Sequence, residues 1–218
     1  MRREHCILLD DDDNVVGSDS KRNCHTVGHD AFENQPHRAF SVFLFNKHGK
    51  LLLQRRSEKK ITFPMVWTNT CCSHPLHVEE ELEGGIGESF AIGARRAATR
   101  KLKDELGIEA EDAPPEDFTF LTRIHYKAES GGGWGEHEID YIFFMRTGVD
   151  GSIAPKPEQG GGAATSESDI SVVPNPEEVA DVRYVDRDEL RQLLADADRE
   201  GSDVVLSPWF RLLVRALT

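Results

Sequence analysis

The apolar and polar positions divide the chain into short strand-like runs separated by turn residues, with one long helical stretch in the middle. Residues 5–17 read as a short strand, an Asp-rich turn at 10–14 and a return segment. Residues 38–46, RAFSVFLFN, are apolar, aromatic and β-branched; the turn KHGK and a second run, LLLQRR at 51–56, complete a hairpin signal. The proline-flanked stretch 63–75, FPMVWTNTCCSHP, predicts extended or irregular backbone, and the acidic loop HVEEELEGGIGE follows it. From Ser89 to Leu106 the period turns helical: Ala94, Ala98, Leu102 and Leu106 recur every fourth position, Ala97 widens the stripe, and Gly107 stands where a C-cap glycine belongs. Residues 118–126 and 138–146 predict two strands joined by the loop KAESGGGWGEHE. A strand at 182–185, an acidic helix at about 187–199 and an amphipathic helix at about 207–217 close the chain. Strands surrounding helices without regular βα alternation predict an α+β fold or a mixed-sheet sandwich, in one domain.

Composition narrows the classes. A chain of 218 residues with 38% hydrophobic content suffices for one well-packed soluble domain. No run approaches the roughly 18 apolar residues of a membrane helix. The opening MRREHCILLDDDD turns acidic within ten residues, and a secretory signal needs a longer apolar stretch; the expectation is a cytoplasmic protein. The formal net charge is -13, with 17 Arg against 9 Lys. That balance argues against nucleic acid or an anionic membrane as the main partner, and suits a halophilic protein kept soluble in concentrated salt. Residues 151–176, rich in Gly, Pro and Ser, predict a flexible insertion in a surface loop. Four cysteines (Cys6, Cys24, Cys71 and Cys72) are no disulfide framework for a chain this long, so reduced thiols are expected.

Several residues could carry chemistry. In extended TNTCCSHP, alternation puts Cys72 and His74 on one face and Cys71 and Ser73 on the other. A thiol beside a histidine serves a nucleophile, an acid/base group or a metal site; two small buried hydrophobes are the plain alternative. Glu136-His137-Glu138 heads a strand with both carboxylates on one face. Two like charges side by side require a shared cation, a raised pKa or full solvation. The apolar continuation IDYIFFM counts against solvation. His25 and His37, unremarkable alone, join His74, Glu136 and Glu138 in a ligand set suited to zinc or manganese, provided that they converge. Lys21, Arg22, Arg55, Arg56, Lys59, Lys60, Arg100 and Lys101 gather in three clusters, which suggests an anionic ligand or an ordinary solvated surface. Glu105 falls in the last turn of the predicted helix, where the dipole disfavours an anion by a few tenths to about 1 kcal/mol. It either binds a metal or pairs with Lys101, four residues earlier.

RKLKDELGI resembles the tail of a Nudix box. Arg100, Leu102, Asp104, Glu105, Gly107 and Ile108 fit the pattern; Lys101 and Ile92 stand where it has glutamates, and Ile86 where it has glycine. Together with TFPMVWTNTCCSHPL, HRAFSVFLFN and WGEHEIDYI, this resembles the type I isopentenyl-diphosphate delta-isomerase family from about residue 5 to residue 215. The resemblance implies a single Nudix domain over 1–218, a mixed β-sheet sandwiched between helices. Its parts would be an N-terminal extension (about 1–36), a core (about 37–200) and a C-terminal helix (about 205–218). It implies an isomerase of isoprenoid biosynthesis that converts isopentenyl diphosphate to dimethylallyl diphosphate by protonation and deprotonation through a carbocation. Cys72 falls on the family's catalytic thiol and Glu138 on its catalytic carboxylate. His25, His37, His74, Glu136 and Glu138 fall on ligands of an essential divalent metal, Mn²⁺ or Zn²⁺. Glu105 falls on the carboxylate that helps hold Mg²⁺ at the substrate diphosphate. Lys21, Arg56, Lys60 and Ser73 match substrate contacts, and Tyr126 and Trp209 match aromatics lining the pocket. A monomer or weak oligomer is expected, without nucleic-acid or membrane partners. A Nudix pyrophosphohydrolase is the rival enzyme, disfavoured by Lys101 and Ile92 and leaving Cys72 without a role. A zinc-stabilised binding module would leave the clustered cations and Trp209 unexplained.

Overall fold

The structure is a computed structural model and describes residues 4–84, 89–147 and 170–217. Its centre is a parallel pair of strands. Strand β3 (His37–Phe45) runs beside β8 (Trp134–Arg146), with His37 opposite Glu138 and Phe45 opposite Arg146. The far edge of β8 takes β7 (Thr119–Gly131) in antiparallel register. The other edge of β3 takes β1 (His5–Leu9) at Leu8 and the short β6 (Cys71–Ser73) at Phe40 to Val42. Strand β2 (Val15–Ser20) pairs with β1, while β4 (Leu51–Arg56) pairs with β5 (Trp67–Thr68) and β9 (Val179–Val185). All nine strands of the described residues join one mixed sheet.

Alternation along β3 decides which layer each side chain enters. Phe40, Val42 and Leu44 pack with α4 (Ile92–Leu106), through Ala94, Ala97, Ala98, Leu102 and Leu106. Phe43 points the other way, toward α5 (Arg187–Asp198) and α6 (Pro208–Leu217), where Leu193, Phe210 and Leu213 meet it. The sheet is thus sandwiched between helices, as expected. Phe40, Phe143 and Phe210 are fully buried, each contributing about 1.5–3 kcal/mol. Helix α4 carries the predicted stripe and ends at Gly107, whose φ of 63° supplies the left-handed cap. Gly93 lets that helix approach α3 (Glu79–Leu82) closely; a Cβ there would lie 2.3 Å from the Glu81 carbonyl oxygen.

Five expectations change. The β3–β4 hairpin pairs only at Phe45 and Leu51, after which β4 leaves for β5 and β9. The predicted loop 127–138 is mostly strand: only Gly132 and Gly133, both at positive φ, lie between β7 and β8, so Glu136 and Glu138 lie within β8. Helix α4 starts at Ile92 and not at Ser89, because Ala91 is left-handed at φ 57°. Two short helices unmarked by periodicity, α1 (Lys21–His25) and α2 (Asp30–Glu33), follow β2; Ser20 caps the first. The predicted insertion lies outside the described residues over 151–169, but its last part is anchored. Ile170 is buried in the α4 core, Val173 donates to the Leu106 carbonyl at 2.7 Å and Asn175 to that of Glu105 at 2.8 Å. Box position Ile86 also lies outside the described residues. All four cysteines are unbridged, and no described helix is long and apolar enough to cross a membrane.

Candidate active site

Strand register builds the site. His37 on β3, Glu138 on β8 and Tyr126 on β7 form one cross-strand row, and Glu136 follows two residues from Glu138 on the same face. His25 arrives from the end of α1, its Nδ1 donating to the Lys21 carbonyl, which turns Nε2 inward. His74 follows β6 directly. The five ligand atoms of His25, His37, His74, Glu136 and Glu138 all lie within 4.8 Å of one another, and all five residues are buried. His25 Nε2 is 2.8 Å from Glu136, and His74 Nε2 is 2.7 Å from Glu138. His37 Nε2 stands farther off, at 3.5 Å from Glu138 and 3.8 Å from Glu136.

This donor set fits a divalent cation. Both ring nitrogens of His37 and Nδ1 of His74 are buried without a hydrogen-bond partner, a cost that native interiors avoid. Opposed ligands about 2.1 Å from an ion lie about 4.2 Å apart, within the observed spread. Burial and the neighbouring imidazoles push His74 well below its ordinary range. Burial also opposes charge on His25, but the Glu136 carboxylate outweighs it and lifts that group to about 9. Burial alone would raise Glu138; the neighbouring His37 imidazole and the bond from the Tyr126 hydroxyl hold it below the usual value.

Beside the cage opens a cavity of about 310 Å³. It is lined by Lys21, His25, Arg56, Lys60, Cys72, Ser73, His74, Tyr126, Glu136, Glu138 and Trp209 among others, so most of the predicted site residues meet there. The Tyr126 hydroxyl donates to Glu138 Oε2 at 2.5 Å. Burial pushes the Cys72 thiol up to about 12, with Arg56 opposing. Arg56 lies 3.6 Å from that sulfur and 5.6 Å above the Trp209 ring, while the Thr62 and Phe63 carbonyls hold its guanidinium. His37 is buried behind the cage and not on the cavity wall.

Cys71, by contrast, faces Glu105 at 3.6 Å, as the alternation required. Glu105 sits outside the cage. Burial would raise its pKa, but Lys60 at 3.5 Å, Lys101 at 3.4 Å and Gln54 at 3.1 Å hold it at about 2. Of the clustered cations, Lys59 and Lys101 join the cavity wall. Three do not: Arg22 lies over Trp134, Arg55 bonds the Met65 carbonyl and Arg100 is held by Glu81. Sequence reasoning missed Thr62, Glu177 and Glu178 on the wall and Gln54 beneath it. Gln54, a polar residue inside the apolar run LLLQRR, was the one with a usable signal.

The mixed sheet between helices and the buried ligand cage define a Nudix-domain protein: residues 35–207 match the family model described as NUDIX domain. The solved protein DR0079 of Deinococcus radiodurans shares the fold at a TM-score of 0.55 and 15% identity, covering 99% of this chain and 100% of its own. Isopentenyl-diphosphate delta-isomerase I of Camptotheca acuminata is 53% identical over 214 residues, 98% of this chain and 80% of its own. The chloroplastic isopentenyl-diphosphate delta-isomerase I of Arabidopsis thaliana is 50% identical over 98% of this chain, which spans 65% of that relative's length. The chain belongs to the isopentenyl-diphosphate delta-isomerase family.

Proposed function

We propose that this chain converts isopentenyl diphosphate to dimethylallyl diphosphate, adding a proton at C4 and removing one from C2. The observation that carries the reading is a single small cavity on whose wall a thiol, a carboxylate bonded to a phenol, an indole and several cations meet. Protonating an unactivated alkene gives a tertiary carbocation, so the site needs an acid and a base flanking five carbons, and no water to trap the cation. Cys72 and Glu138 supply that pair. Tyr126, bonded to Glu138, orients the carboxylate. Trp209, packed against Phe63 and Tyr126, closes the apolar side. The Arg56 guanidinium lies 5.6 Å from the centre of the Trp209 ring, and an indole face presented to the substrate stabilises a carbocation by roughly 2 kcal/mol in a dry site.

Lys21, Arg56, Lys60 and Ser73 hold the diphosphate, binding energy remote from the reacting carbons. A divalent ion in the cage, Mn²⁺ or Zn²⁺, would fix Glu138 and tune its proton affinity, and Mg²⁺ at the diphosphate would be shared with Glu105. The diphosphate, itself anionic, draws Lys60 and Lys101 off Glu105 and leaves that carboxylate available. The acidic surplus supports a working place in the cytoplasm of a cell with high internal salt; unfolding on dialysis into low salt is the expected result, and indifference to salt would remove that part.

The test is incubation with isopentenyl diphosphate and Mg²⁺ in deuterated water. Deuterated dimethylallyl diphosphate is expected. Released phosphate would mean a hydrolase, and unchanged substrate a binding module.

A further inference from the structure

Asn69 lies between β5 and β6, fully buried and away from the cavity wall. Its amide uses all four of its hydrogen-bonding positions. Oδ1 accepts from Trp209 Nε1 at 3.1 Å and from Thr68 Oγ1 at 2.9 Å. Nδ2 donates to the Val42 carbonyl at 3.1 Å and to the Cys71 carbonyl at 2.9 Å. One side chain therefore ties the central strand β3, the thiol-bearing strand β6 and the helix α6.

The start of α6 is bracketed a second time. Because Thr68 gives its hydroxyl proton to Asn69, Ser207 donates to Thr68 across 2.8 Å. The Ser207 amide in turn donates to the Trp67 carbonyl at 3.0 Å. Trp209, near the end of the chain, is thereby held against the segment that carries Cys72.

We propose that Asn69 is a positioning residue of this site, fixing the separation between the Cys72 strand and the Trp209 ring. The proposal rests on the roles given above to Cys72 and Trp209. Only an amide completes the bracket: a carboxylate would set an anion against two carbonyl oxygens, and alanine removes both of those bonds and leaves the buried indole N–H unpaired. Nothing in the bracket touches Lys21 or Lys60, and Arg56, which lies over the Trp209 ring, is held independently by the Thr62 and Phe63 carbonyls, so loss of the bracket acts on the reacting carbons more than on diphosphate binding.

Two variants test this, Asn69→Ala and the milder Thr68→Val, which keeps both strand bonds. The readouts are kcat and KM for isopentenyl diphosphate, bound metal, and hydrogen exchange of the Trp209 indole N–H, assigned by its loss in Trp209→Phe. Asn69→Ala is expected to lower kcat roughly 100-fold, with KM within about threefold and metal content unchanged. Its Trp209 indole N–H is expected to exchange at least about tenfold faster, an opening that costs less once its partner is gone. Thr68→Val is expected to lower kcat about fivefold at constant KM, and it carries the test should Asn69→Ala fail to fold. Parallel changes in kcat and KM, or an unchanged kcat beside a loosened indole, would overturn the proposal. A wild-type chain that does not turn over isopentenyl diphosphate would remove the functional reading beneath it and the proposal with it; an active wild type with unaffected variants overturns the proposal alone.

Discussion

Two buried acidic regions adjoin the Cys71–Cys72 pair and are compensated in opposite ways. Glu136 and Glu138 face three imidazoles, several of whose nitrogens have no partner. Glu105 faces Lys60, Lys101, Gln54 and the Cys71 thiol. The first region is a donor set that fits a divalent cation. The second carries its cations as side chains, and Lys101 stands where the Nudix pattern has a carboxylate. That difference bears on isomerase against hydrolase in physical terms: the box helix carries Lys101 where the pattern has an anion, and the carboxylates that could hold a metal sit on β8, on the wall of the cavity that Cys72 also lines.

The comparison is sharpened most by Cys72→Ala, which removes the thiol on the cavity side that the proposed reaction uses. It should lower kcat about 10³–10⁴-fold while metal content and fold persist, checked by steady-state kinetics and metal analysis. Removing the divalent ion proposed for the cage comes next. Chelation should lower stability by about 3–4 kcal/mol in a denaturant melt, restored by adding the ion back, because five buried polar groups lose their common partner. A melt unmoved by chelation would break the contrast between the regions. Lys101→Glu places a second carboxylate beside Glu105 and should cost about 2–4 kcal/mol of stability while raising KM for the diphosphate. Cys71→Ala should be mildest, about 1 kcal/mol in stability with kcat within about twofold. Equal catalytic loss from Cys71→Ala and Cys72→Ala would undo the assignment of the two thiols to opposite faces.

Much of this was legible in the residues. The Ala94–Leu106 stripe and Gly107 gave α4 to within three residues, and alternation gave the separation of Cys72 from Cys71 and of Glu136 and Glu138 from His137. The convergence of the five ligands was not legible from spacing, because it depends on β3 pairing parallel to β8 with His37 opposite Glu138, a long-range register. The family resemblance supplied it instead. The glycine-rich stretch before Trp134 reads as loop, yet only Gly132 and Gly133 leave the strands. Thr68, Asn69 and Thr70 read as polar and loop-like but are fully buried, since their side chains bond to one another and to backbone far along the chain. Composition cannot reveal that, because burial of a polar residue is decided by partners far along the chain.

The most direct measurement is a crystal structure of the Cys72→Ala protein with isopentenyl diphosphate and its metals. The account predicts the five-carbon unit between position 72 and Glu138 against the Trp209 face, the diphosphate among Lys21, Arg56 and Lys60, and a cation within the three imidazoles. A diphosphate seated in the histidine cage, or a carbon chain directed away from Glu138, would contradict it.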